Sequence, residues 1–293
     1  MIYRSNEECM PLKMFQPQEK KPRTTITHIV GIAAGKGGVG KSTVTVNLAL
    51  ALKQAGYAVG VMDMDIYGPS VRRMLPEDEM PEQQGNQITP AICQGIRMIS
   101  MAYFRKENEA TAVRAPIANG LVQQFLHNIS WGNLDFLLID FPPGTGDIQL
   151  TLAQQANLSG AIVVTTPQEV SLMDVRKAIN LFEHVHVPII GVVENMSYYQ
   201  ASQDSDRVYL FGKGGGEKLA QEIGAPCLGA IPIDARICQC CDSGTSLFAA
   251  HESSLAATAF HEIAENAVAH IHAMARASQE HLSTFELHWD ASL

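Results

Sequence analysis

No stretch of this 293-residue chain strings together the roughly 18 apolar residues that a bilayer-crossing helix needs, so nothing in it is expected to span a membrane. Basic residues are in short supply as well: 21 Lys and Arg stand against 30 Asp and Glu, a net charge of −9. A nucleic-acid surface needs an excess of phosphate-neutralising cations, and this balance argues against one. Cysteine is scarce, with six residues at positions 9, 93, 227, 238, 240 and 241. The N-terminal segment mixes Arg4, Glu7, Glu8 and Lys13 with its apolar residues and offers no h-region for export. Reduced thiols in a cytoplasmic setting, and no disulfide framework, are the expectation.

What the chain does have is rhythm. Residues 1–25, interrupted by Pro11, Pro17 and Pro22, read as a flexible leader, and 279–293 as a C-terminal tail. Between them, over 26–278, short apolar runs bounded by Gly, Pro or Asp alternate with helical periodicity, the pattern of βαβ units. Strands are predicted near 27–33, 58–63, 96–100, 135–140, 160–165, 188–194 and 226–231. Helices are predicted near 41–55, 116–129, 169–183, 213–223 and 253–277. The polar stretch 76–90 reads as a surface loop. The implied fold is one α/β domain, a doubly wound, mostly parallel sheet flanked by helices. Nearly half of the residues are hydrophobic, enough for its core.

The run Gly35-Lys36-Gly37-Gly38-Val39-Gly40-Lys41-Ser42 satisfies G-x-x-x-x-G-K-[ST], and Thr43 follows it. It sits between the apolar strand ending at Ala33 and the helix running through Asn47–Leu52, the context that the motif requires. Glycines let backbone N–H groups turn inward around phosphate oxygens, and the helix N-terminus adds its dipole. Lys41 is placed to reach the β- and γ-phosphates, and the Ser42 hydroxyl to complete a Mg2+ site. ATP with Mg2+ is the expected ligand. Two strands end in acids: Asp63 and Asp65 at period two after Val59–Met62, and Asp140 after Phe136–Ile139. Strand carboxyl ends are where such sheets build sites. Asp63 either supports the metal or fixes the loop, and Asp147 caps the following helix if it has no other task.

The string KGGVGKS, with its second lysine Lys36, resembles the deviant Walker A of the ParA/MinD/Mrp class. Longer stretches narrow the likeness. Asp65–Ser70, Asp140–Asp147, Glu194–Ser197 and Phe211–Ala220 are similar to the Mrp (ApbC) family of iron–sulfur cluster carriers, from about Ile26 to about Ala275. The resemblance implies a slow, Mg-dependent ATPase acting as a homodimer, in which Lys36 crosses to the partner's nucleotide. It implies that Asp65 orients the attacking water, that Asp63 and Asp140 support Mg2+, that Gly144 offers a backbone N–H near the γ-phosphate, and that Asn195 and Pro232 contact adenine. The partners it implies are apo iron–sulfur proteins or assembly factors. A positioning ATPase of the ParA/MinD kind is the alternative, as is a degenerate relative that switches with ATP and binds no cluster.

One departure stands out. The family's cluster ligands are a C-x-x-C pair between the ENMS and FG-x-GG segments, where this chain has Ala201 and Asp204 and no cysteine. Downstream, Cys238, Cys240 and Cys241 fall within four positions, and on a helix Cys238 and Cys241 share a face. Two thiolates from each of two subunits would suit a [4Fe–4S] cluster bridging a dimer. Zinc at the same residues, or burial as small apolar side chains, are the other readings. The histidines between His261 and His288 show no consistent ligand face. The C-terminal helix has Arg276 as its only Lys or Arg, so it does not read as a lipid-binding amphipathic helix.

Overall fold

The computed structural model describes residues 25–65, 68, 70–104, 115–202 and 204–283. The apolar runs form an eight-stranded sheet from β1 (Thr25–Ala33), β2 (Val59–Asp63), β5 (Ala91–Cys93), β6 (Ile96–Ser100), β7 (Asn133–Asp140), β8 (Gly160–Thr165), β9 (Ile189–Glu194) and β10 (Cys227–Ala230). Their order is β10-β9-β8-β1-β7-β2-β6-β5, with every neighbour parallel except β5 against β6. Val, Ile and Leu fill the central strands because both faces are covered, as a parallel sheet demands.

The helices are α1 (Lys41–Gln54), α2 (Val71–Met74), α3 (Ala115–His127), α4 (Asp147–Gln155), α5 (Glu169–His184), α6 (Gly215–Glu222), α7 (Ala235–Ser243), α8 (Leu247–His251) and α9 (Leu255–Ser283). Right-handed crossovers put α1 on one face, and α3 to α6, whose connections run the opposite way along the sheet, on the other. The 29-residue α9 joins α1. It lays Phe260, Ile263, Ala264, Ala267 and Ile271 inward at helical spacing. Its approach to β10 requires glycine at 229, where a Cβ would come within 2.6 Å of Ile263 Cγ1. No helix among the described residues is long and apolar enough to cross a membrane.

The sheet matches the sequence reading closely, and the differences are local. The stretch 76–90 is more than a loop: β3 (Glu82–Gln84) and β4 (Gln87–Thr89) pair as a small antiparallel hairpin, and β5 follows to close the sheet's edge. All three strands are three residues long, and β3 and β4 carry Gln, so alternation had no room to show. Helices α2 and α8 were not predicted, and α4 and α7 entered only conditionally, through the capping reading of Asp147 and the spacing of the cysteines. The helix expected from 213 begins at Gly215, because Gly214 takes φ 70° as its N-cap. The expected leader lies outside the described residues except Thr25, and residues 284–293 of the expected tail lie outside them too.

The order of strands positions the site. β1 lies between β7 and β8, and the chain moves first to one side of it and then to the other. That reversal is the switch point where open α/β sheets hold ligands.

Candidate functional site

β1 delivers the chain at Ala33 and α1 starts at Lys41, so Gly35–Gly40 must turn between them. Gly38 and Gly40 take φ 82° and 84°, the left-handed region that side chains resist. Two glycines are also close approaches. A Cβ at Gly40 would stand 2.1 Å from Asn195 Nδ2, and one at Gly35 would stand 2.1 Å from the backbone carbon of Asp174 in α5. At Gly37 and Gly38, by contrast, nothing lies within 4 Å of where a Cβ would be. The loop is thus pinned at its ends and open in its middle, the form of a cradle for phosphate.

Beneath the loop the acids converge. In the parallel ladders Asp140 sits opposite Ile32 of β1 and opposite Asp63 of β2, which brings both strand-end acids to one level. Lys41 Nζ stands 2.7 Å from Asp140 Oδ2, and the Ser42 hydroxyl donates to the same oxygen at 2.6 Å. Thr45 Oγ1 donates to Asp140 Oδ1 at 2.8 Å. Thr45 is a residue that the sequence reading missed, although its place one turn after Lys41 on α1 was a signal. Asp63 is turned to structural duty with both oxygens: Oδ1 accepts the Asp65 N–H at 3.1 Å and Oδ2 accepts the Ser100 hydroxyl at 2.8 Å. Burial, and after it the charge of Asp140, pushes the Asp63 carboxyl up to about 7. Asp65 Oδ1 accepts the N–H of Gly68 at 3.1 Å, and the residue borders the open space above.

That space is a cavity of about 600 Å3 whose lining includes Lys36, Lys41, Ser42, Thr43, Asp65, Asn195 and Pro232. Asn195 also braces the loop, its Nδ2 donating to the Val39 carbonyl at 2.8 Å. Pro143 lines the cavity beside Gly144, which takes φ 93°. Asp147 is the first residue of α4 rather than its cap: Gly146 holds that position, with no side-chain cap bond. The far wall, unforeseen from sequence, carries Arg73 of α2 with Cys238, Cys241 and Asp242 of α7. Lys36 lines the cavity and has no ion pair among the described residues.

The three cysteines do not gather. Helix α7 forms, capped by Asp234, whose carboxylate accepts the Arg236 N–H at 2.9 Å. Cys238 and Cys241 face the cavity, whereas Cys240, at the intervening angle of the helix, is buried in the core. Cys238 donates to Asp242 Oδ2 at 3.6 Å, and that bond pushes its thiol up; burial does so for Cys240 and Cys241. Among the described residues no group of three or more His, Cys, Asp or Glu side chains is arranged for a metal ion. Ala201 and Asp204 are exposed and lie between Tyr199 and Val208, which pair as an antiparallel bridge. Hydroxyls stitch it: Ser205 Oγ accepts the Ser202 N–H at 2.9 Å.

A glycine cradle between a central parallel strand and its helix, with a lysine and a hydroxyl meeting a buried strand-end aspartate, defines a P-loop nucleotide-binding protein of the ParA/MinD type. The chain belongs to the NUBPL iron-transfer P-loop NTPase family of the ParA group, whose model matches residues 25–268. An iron-sulfur cluster carrier protein of Aquifex aeolicus is 43% identical over 243 residues, covering 82% of this chain and 67% of that protein. One of Methanocaldococcus jannaschii is 45% identical over 239 residues, covering 79% and 82%. Among solved structures, a nucleotide-binding protein from Archaeoglobus fulgidus in complex with ADP superposes with a TM-score of 0.66 at 36% identity, covering 75% of this chain and 87% of that one. The cell division ATPase MinD of Pyrococcus furiosus, at 24% identity and a TM-score of 0.57 over 82% of this chain and 98% of its own, shares the fold.

Proposed function

We propose that this chain is a Mg-dependent ATPase that takes part in carrying iron–sulfur clusters to apoproteins, working as a homodimer in the cytoplasm. The observation that carries the nucleotide half is the convergence of Lys41, Ser42 and Thr45 on Asp140. The carrier half follows from the relatives named as cluster carriers at 43–45% identity.

Residues 35–43 hold the phosphates through backbone N–H groups, and Lys41 moves from Asp140 to the phosphate oxygens when nucleotide enters. An ammonium group already stands beside Asp140 Oδ2 and Ser42 Oγ, so the donor set fits a cation. Ser42 and Asp140 are the residues that would hold Mg2+, which would supply charge neutralisation on the phosphate, while Asp63 fixes the loop after β2. Asp65 orients the attacking water from the cavity wall. Gly144 offers its N–H toward the terminal phosphate, and Asn195 and Pro232 flank the base. Lys36, with no ion pair among the described residues, reaches the nucleotide of the second copy and stabilises the charge that develops there.

The cargo is the less direct part. Ala201 and Asp204 offer no thiolate, and Cys240 is buried, so Cys238 and Cys241 are the accessible thiols on α7. A second reading, a nucleotide switch serving a partner that holds the cluster, is favoured by that thiol-free turn. Anaerobic reconstitution with iron and sulfide separates the two. A chromophore with bound iron, lost in Cys238→Ser/Cys241→Ser, supports cargo held on α7. The absence of iron in both proteins moves the cargo to the partner.

A further inference from the structure

Two thiols that nucleotide chemistry leaves unused stand in the cavity wall. Cys238 and Cys241 line it from α7, three residues apart on one face. Helical residues at this spacing hold their Cβ atoms about 5–6 Å apart, and a disulfide needs about 3.5–4.5 Å. The end of α7 is where that difference can close. Its last residue is Ser243, and Gly244 terminates it at φ 67°. Tightening a final turn toward 3-10 geometry is common at helix ends and eclipses residues i and i+3.

The same wall is tied to the nucleotide loop. Asn47 Nδ2 donates to Cys241 Sγ at 4.0 Å and to the Thr43 carbonyl at 2.9 Å. Thr43 Oγ1 in turn reaches Met74 Sδ of α2 at 3.8 Å, and α2 packs on α7. Asp242, beside Cys241, lines the cavity too and accepts the Cys238 thiol.

We propose that Cys238 and Cys241 are a redox-active dithiol in the wall of the nucleotide cavity, whose oxidation and nucleotide binding oppose each other. The oxidant is a low-molecular-weight disulfide such as oxidised glutathione. The exposed Cys238 attacks one of its sulfurs as the thiolate and expels one glutathione thiol, and Cys241 then displaces the second. One S–S bond forms within the chain and one breaks in the reagent. The two protons and two electrons leave with two molecules of reduced glutathione. Closing the bond draws Cys241 away from Asn47 and shifts Asp242, so the wall no longer fits the nucleotide. A bound nucleotide, conversely, covers both sulfurs.

This inference rests on the nucleotide-site reading above, and the experiment keeps the two apart. The full chain is equilibrated in graded glutathione buffers with and without ADP, quenched by acid, alkylated and analysed by mass. ADP affinity is measured by calorimetry at the reduced and oxidised extremes. The oxidised protein binds ADP more weakly by at least about fivefold, the lower end of ordinary coupling between sites. Because coupling is reciprocal, saturating ADP shifts the equilibrium toward the dithiol by the same factor. In Cys238→Ser the ADP affinity no longer follows the glutathione ratio, whereas Cys240→Ser keeps the response. Equal affinity at both extremes, or a response that survives in Cys238→Ser, overturns the proposal. A reduced protein that binds no ADP overturns the reading of the site itself.

Discussion

Asp63 shows what one residue can do to the whole chain's balance. Its carboxyl is buried against Asp140 and holds its proton up to about pH 7, while an unfolded aspartate ionises near 3.8. Between those values the folded protein carries more protons than the unfolded one. The contribution of this group to stability is therefore full below the unfolded value and is lost as pH rises through about 7. Urea unfolding from pH 4 to 8, in EDTA and without nucleotide, is expected to show a midpoint that falls over this window. Asp63→Asn flattens that slope; an unchanged slope in the variant places the proton elsewhere. The same residue marks a limit of sequence reading. Its place at the end of β2 was legible from the apolar run before it. Its bonds to Ser100 and Asp65 were not, because they depend on β6 lying next to β2. Lys41 and Ser42 were readable from the fixed spacing of the glycine loop and Asp140 from the apolar strand it ends, whereas Arg73 and Asp242 reach the cavity only through the packing of α2 on α7.

At the scale of elements, apolar runs bounded by glycine and proline revealed every long parallel strand. Elements set by partners rather than by their own composition stayed hidden. The hairpin of β3 and β4 is short and polar, and α4, after a Pro-Pro-Gly-Thr-Gly run that reads as loop, showed only through the capping reading of Asp147. Helix α7 was visible only as a conditional inference from the spacing of its cysteines. The contact of α9 with β10 can be tested directly. Gly229→Ala places a Cβ at 2.6 Å from Ile263 Cγ1 and pushes the two elements apart. Overpacking of this kind costs about 1–3 kcal/mol. In Gly229→Ala/Ile263→Ala the added methyl gains room, so the double variant should unfold at a higher denaturant concentration than the sum of the single losses requires. Additive losses would mean that the pair does not share this contact.

For the molecule as a whole, the question is whether one chain suffices for hydrolysis. Lys36→Ala is expected to bind ATP and to hydrolyse it at least about tenfold more slowly, the loss of one charge stabilising the transition state. Lys41→Ala is expected to lose binding. If Lys36 acts across a dimer, mixing the two inactive proteins restores part of the rate, since the mixed dimer contains one complete site. A mixture as inactive as its components would confine Lys36 to its own chain. The fit of Gly35 against α5 bears on how such a dimer is informed of its ligand. Loop and helix meet backbone to backbone, with no side chain between them to absorb displacement. Packed backbone is nearly incompressible. A displacement of residue 35 under an arriving phosphate would therefore press directly on α5 at Asp174 and Val175. Val170 and Met173 are exposed on the first turns of α5, within a turn of that contact, so they are the surface positions at which such a displacement would be felt first.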